Sequence, residues 1–173
     1  MDLTGLLLAE HSKAQAQRIA ALISEGSIPF DRLWACICQG EPPLPQRAAW
    51  ALDHFTEAHP GAFRPYLRQA LQEWQKASHH NAVHRAIAKA ILREVGAVDE
   101  ETAGPLYDWC LRVIGNLEDK TAIQATAMSI AAHIARPYPE LQEELCAIIR
   151  EYLPHRTAGY ASRGKRILSQ LGK

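Results

Sequence analysis

Phe30-Asp31-Arg32-Leu33-Trp34-Ala35-Cys36-Ile37-Cys38 carries large or apolar side chains at Phe30, Trp34, Ile37 and Cys38, a spacing of i, i+4, i+7, i+8. At the helical period those four positions share one face, so the stretch reads as an amphipathic helix and not a strand. The same spacing returns in Phe63, Leu67, Ala70 and Leu71, in Leu106, Cys110, Val113 and Ile114, and in Leu141, Leu145, Ile148 and Ile149. Successive offsets are 33, 43 and 35 residues. A second series precedes these stretches. Gln17-Arg18, Gln46-Arg47, His84-Arg85 and Ser162-Arg163 open or sit early in amphipathic segments, and Gln124-Ala125 fills the same slot without the arginine. Two helix series in one register predict stacked helical hairpins. One hairpin cannot bury its apolar face alone, whereas a stack buries a continuous seam.

Working outward, breaks fall between these segments: Glu25-Gly26, Gln39-Gly40, Pro42-Pro43-Leu44-Pro45, His59-Pro60-Gly61, Val95-Gly96, Arg136-Pro137-Tyr138-Pro139 and Pro154. Glycine supplies helix C-termini, and proline ends a helix because it lacks the N–H and clashes with the preceding turn. Ser12, Asn81 and Asp119 are the expected N-caps. No sustained alternation of Val, Ile and Thr predicts a strand. The expected fold is all-α, a right-handed α-α superhelix (a solenoid) of about five hairpins. Its single domain, 1–173, divides into repeats at 12–40, 44–77, 81–117 and 120–154 with a C-terminal cap at 158–173.

The chain has 173 residues, 47% of them hydrophobic, and 19 Lys+Arg balance 19 Asp+Glu. That length supports a real core, and zero net charge argues against a protein devoted to neutralising phosphate. Cys36, Cys38, Cys110 and Cys146 form no C-x-x-C pair. They read as buried thiols in a reducing cytoplasm. Apolar runs such as Leu6 to Ala9 are too short to span a bilayer, and no basic-then-apolar leader opens the sequence. A soluble, cytoplasmic domain without membrane association is therefore expected.

Several stretches resemble HEAT/armadillo-like α-solenoid proteins, and more closely a group of small bacterial HEAT-like proteins with no assigned activity. They are Glu10 to Gln15, Gln46 to Trp50, His59-Pro60, His80 to Arg85, and Thr157 to Tyr160 ahead of Ser162-Arg163. The likeness covers nearly the whole chain. It implies the fold and leaves the activity open.

Arg18, Arg47, Arg85 and Arg163 recur at one repeat position and are expected to form a ladder. Such a ladder either links repeats, with Asp53, Asp108 and loop carbonyls as acceptors, or grips carboxylates or phosphates. Trp50 follows Arg47 by three residues and shares its face, which makes the pair a candidate contact patch. Trp34, Trp74 and Trp109 fall on or beside the apolar stripes and read as core anchors. Beyond Pro154, Arg156, Arg163, Lys165, Arg166 and Lys173 meet no acid. His79, His80 and His84 lack a third and fourth ligand at metal spacing and read as exposed histidines at a helix start, so neither metal nor cofactor is expected. No nucleotide-binding or nucleophile motif is present.

These features predict a non-enzymatic scaffold or adaptor that holds a peptide or protein surface on one face. Its candidate contacts are Arg18, Arg47, Trp50, Arg85, Arg163 and Arg166. The alternative is nucleic-acid binding, by analogy to HEAT-like DNA glycosylases, through the recurring arginines and the basic C-terminus.

Overall fold

The computed structural model describes residues 2–172, which contain ten α-helices and no strand. The helices gather into two compact units, one up to Glu94 and one from Val95 onward. The first holds α1 (Leu3–Ala9), α2 (Lys13–Ser24), α3 (Phe30–Gln39), α4 (Leu44–Ala58), α5 (Leu67–Trp74) and α6 (Asn81–Arg93). The second holds α7 (Glu100–Gly115), α8 (Thr121–Ala135), α9 (Pro139–Tyr152) and α10 (Ala158–Gln170).

In the first unit α4 packs between α2 and α6, α3 lies against α4, α5 lies against α6, and α1 covers α2 and α4. The apolar registers turn inward as expected: Trp34, Ile37, Leu67, Ala70 and Leu71 are buried. Small residues on α4 (Ala48, Ala49, Ala51) and α6 (Ala86, Ala88, Ala90) are buried in the layer these helices form. Short side chains allow close approach of neighbouring backbones, while Leu52, Ile87 and Ile91 fill the remaining space. The second helices are linked by polar contacts as well. The Trp34 indole N–H donates to Gln69 Oε1 at 2.8 Å, and the Tyr66 hydroxyl donates to Asp31.

In the second unit α7 packs on α8 and α9, and α10 packs on α8 and α9. Ile114, Met128, Ile130, Leu145, Ile149 and Tyr160 form its core. Gly164 marks a close approach of α10 to α9. A Cβ there would lie 2.9 Å from Ile149 Cγ2, so the contact depends on the missing side chain.

Three sequence expectations are corrected locally. Phe63, expected to open a second helix, is fully buried but sits ahead of a 3-10 turn, Arg64–Tyr66, with α5 starting only at Leu67. Pro65 stands in the opening positions of that turn, where a backbone N–H would go unused. Asn81 is the first helical residue of α6, and its expected capping role falls to His80, the residue in extended geometry. Asp119 does not cap α8. Its carboxylate accepts from Asn116 Nδ2 at 2.9 Å, and Lys120 takes the cap position without a side-chain bond. Ser12 does cap α2, accepting from the Gln15 N–H at 3.1 Å.

Glu94 closes the first unit. It is buried, yet its carboxylate accepts from the Gly61 N–H and from Arg64 Nε at 2.9 Å. Gly61 has φ +90, which side-chain-bearing residues rarely adopt. The turn after α4 is thus held from the far end of α6.

Candidate functional site

The first unit contains a cavity of about 480 Å³ at the opening turns of α4 and α6, beside the residue that precedes the α2 cap. On α4, Gln46 and Arg47 stand four and three residues before Trp50, and Asp53 stands three after it, so all four border the cavity. On the α6 side the lining residues are His80, Ala82, Arg85 and Ala86, and His11 completes the wall. Backbone N–H groups at helix starts carry partial positive charge, so the walls add to the field of the side chains.

Each polar group has a distinct status. Arg47 directs Nη1 toward the carbonyls of Leu7 and Leu8 at the end of α1, at 3.4 and 3.5 Å. Its Nε is buried without a hydrogen-bond partner among the described residues, as is Gln46 Oε1. Arg85 is exposed and makes no hydrogen bond or ion pair among the described residues. His80 Nδ1 accepts from the Ala82 N–H at 3.1 Å. That bond fixes the tautomer: Nδ1 carries no proton, and the ring N–H resides on Nε2. The His11 ring stands edge-on to Trp50, with centroids 5.5 Å apart.

Among the described residues Asp53 is the one carboxylate lining this cavity, and its charge is already met. Lys89 Nζ and Arg93 Nη2 each lie 2.8 Å from one of its oxygens, and Arg93 Nη1 also donates to Thr56 at 2.9 Å. Burial alone would raise the Asp53 carboxyl. Hydrogen bonds and charge from Lys89 and Arg93 outweigh that cost and hold it below the ordinary range. The polar link between these neighbouring first helices therefore runs through Asp53, Lys89 and Arg93, and not through the arginine ladder.

Of the sequence-predicted contacts, Arg47, Trp50 and Arg85 meet at this cavity. Arg18 lies elsewhere on α2, exposed and without a partner among the described residues. Arg163 and Arg166 belong to the second unit. Arg163 Nη1 donates to Ser129 Oγ, while Arg166 is exposed. Arg156 is anchored there by the carbonyls of Gly115 at 2.9 Å and Asn116 at 3.1 Å, and it packs over Tyr152 and Tyr160. Lys173 lies outside the described residues. His11, Gln46 and His80 were missed as site residues. The signal for two of them lay in the repeated pairs, since Gln46 precedes Arg47 and His80 stands one turn before His84-Arg85.

The three histidines of the 79–84 stretch part company. His79 is not exposed at a helix start: its side chain retains 10% exposure and its Nε2 lies 2.8 Å from the buried Glu73 carboxylate. His84 Nε2 meets the Lys76 carbonyl at 2.9 Å. Burial would raise the Glu73 carboxyl, but Lys76 and His79 hold it below the usual range. Glu73 in turn acts on the half-buried Cys38, whose thiol is pushed up to about 12, first by burial and then by that carboxylate. A thiol so raised is a packing group and not a nucleophile.

No described helix is long and apolar enough to cross a membrane. No curated protein and no solved structure matches the chain. A family profile described as HEAT repeat domain matches residues 3–171, nearly the full length and both helix series. The register of paired amphipathic helices has its explanation there: the chain belongs to the HEAT repeat domain family.

Proposed function

We propose that the chain is a non-enzymatic interaction module, a cytoplasmic scaffold or adaptor that holds a segment of a partner protein in the cavity of the first unit. HEAT repeats commonly serve as protein-interaction scaffolds, which gives the class and not the site. The supporting observation is the convergence of Arg47, Trp50 and Arg85 on one cavity. An aromatic anchor flanked by guanidinium groups is the residue combination that dominates binding energy at protein interfaces. The repeats at 12–40, 44–77, 81–117 and 120–154, with the cap at 158–173, are read as one binding domain.

The test is side-by-side affinity purification of the tagged wild type and an Arg85→Glu/Trp50→Ala variant from the native host. A partner retained by the wild type and lost by the variant is expected. A partner set indifferent to both substitutions would overturn the reading. Nucleic-acid binding has less to draw on, because Arg156 and Arg163 are engaged within the second unit. A gel shift with strong salt sensitivity, abolished by Arg166→Glu, is the result that would restore it.

A further inference from the structure

We infer that the first-unit cavity selects a peptide segment carrying an oxyanion, either a carboxylate or a phosphate, beside a flat apolar side chain. This rests on the reading of the cavity as a docking site for a partner segment. The balance of donors and acceptors carries it. Arg85 is exposed and has no partner among the described residues, Arg47 adds a second guanidinium to the wall, and His80 carries its ring N–H on Nε2 because Nδ1 caps α6. Among the described residues Asp53 is the single lining carboxylate, and although its Oδ1 lacks a well-formed hydrogen bond, its charge is already met by the ion pairs to Lys89 and Arg93. A cavity with cationic donors in excess of acceptors is matched by an anion and mismatched by a cation.

Size and lining define the rest of the occupant. About 480 Å³ is far more than one oxyanion fills, and it lies within the range of about 300–1,000 Å³ typical of organic ligand sites. Trp50, Pro43, Ala49, Ala82 and Ala86 supply apolar wall, and His11 fixes one edge of the indole. A planar side chain beside the acid covers that wall. A peptide segment supplies both the acid and the planar side chain that this wall takes, which a bare anion does not. Arg47 and Arg85 come from α4 and α6, so an oxyanion bridging them would lie across two successive first helices.

The experiment is fluorescence polarisation with fluorescein-labelled, C-amidated Gly-Ser-Phe-Glu-Gly-Ser, its phosphoserine-for-Glu and Gln-for-Glu versions, and an Ala-for-Phe version. Orthophosphate and adenosine 5′-monophosphate serve as competitors, and each titration is run at low and at moderate salt. The Glu or phosphoserine peptide is expected to bind at least about tenfold tighter than the Gln peptide, with salt weakening the preference. The better of the two identifies the source of the oxyanion. Arg85→Ala should erase the preference, and Arg18→Ala, an exposed cation outside the cavity, should leave it intact. If the Gln and Glu peptides bind equally but Trp50→Ala weakens both, the docking reading stands and the oxyanion is overturned. Absence of Trp50-dependent binding by every peptide overturns both. Displacement of the acidic peptides by adenosine 5′-monophosphate at lower concentration than by unlabelled peptide overturns the peptide assignment.

Discussion

Arginines of the first-helix series are used differently in the two units. In the second unit Arg163 donates to Ser129 on the neighbouring α8, and Arg156, ahead of α10, is enclosed by α7 carbonyls and two tyrosine rings. In the first unit Arg85 is exposed and without a partner among the described residues, while Asp53, Lys89 and Arg93 take over the link between α4 and α6. A buried, unmet Nε is common to Arg47 and Arg156 and does not distinguish the units. A recurring residue type in a repeat does not imply a recurring job. Where other residues hold the helices together, as Lys89 and Arg93 do at Asp53, the guanidinium of Arg85 is left exposed.

The largest expected effect sharpens the second-unit half of this contrast. Tyr160 is fully buried, its hydroxyl bonds the Ile114 carbonyl at 3.3 Å, and its ring lies under Arg156. Tyr160→Ala should cost about 3–5 kcal/mol in chemical denaturation, the range for aromatic truncation in a core. Next is Arg156→Ala, expected to cost about 1–3 kcal/mol because it strips charged hydrogen bonds from the end of α7. A neutral Arg156→Ala would break the contrast.

A smaller effect concerns pH and the first unit. Asp53 and Glu73 have folded-state values below the unfolded ones, so their pairs stabilise the fold above the unfolded carboxyl values of about 3.9 and 4.3. That contribution is lost as pH falls through the lower folded values. Melting temperatures measured from neutral to strongly acidic pH should show a steeper acid loss in the wild type than in Asp53→Asn/Glu73→Gln. The smallest expected effect is Arg85→Ala, which should leave the melting temperature unchanged while removing the preference for acidic peptides. If it destabilised the protein as Arg156→Ala does, Arg85 would be a structural link after all.

Helix placement was legible because it depends on local periodicity and on glycine and proline, as α2, α4, α6 and α8 show. The end details were not. His80 caps α6 instead of Asn81 because the cap is set by which residue is extended, a matter of one backbone angle. Half of the candidate site was legible for the same reason: Arg47 and Trp50 share a face of one helix. Gln46 and Asp53 border the cavity too, but their importance depends on which donors and acceptors neighbouring helices leave unmatched. Nothing in the sequence says that Lys89 and Arg93 will claim Asp53 and leave Arg85 free of it. That allocation is tertiary.

The Glu94 tie has a consequence for cutting the chain. Glu94 is the last residue of the first unit and also the one that holds Gly61 and Arg64, some thirty positions upstream. A fragment ending at Arg93 would leave an N–H at the turn and a guanidinium unanswered, whereas one carried a single residue further keeps its own latch. The seam between the units therefore falls immediately after the carboxylate that fastens the first of them.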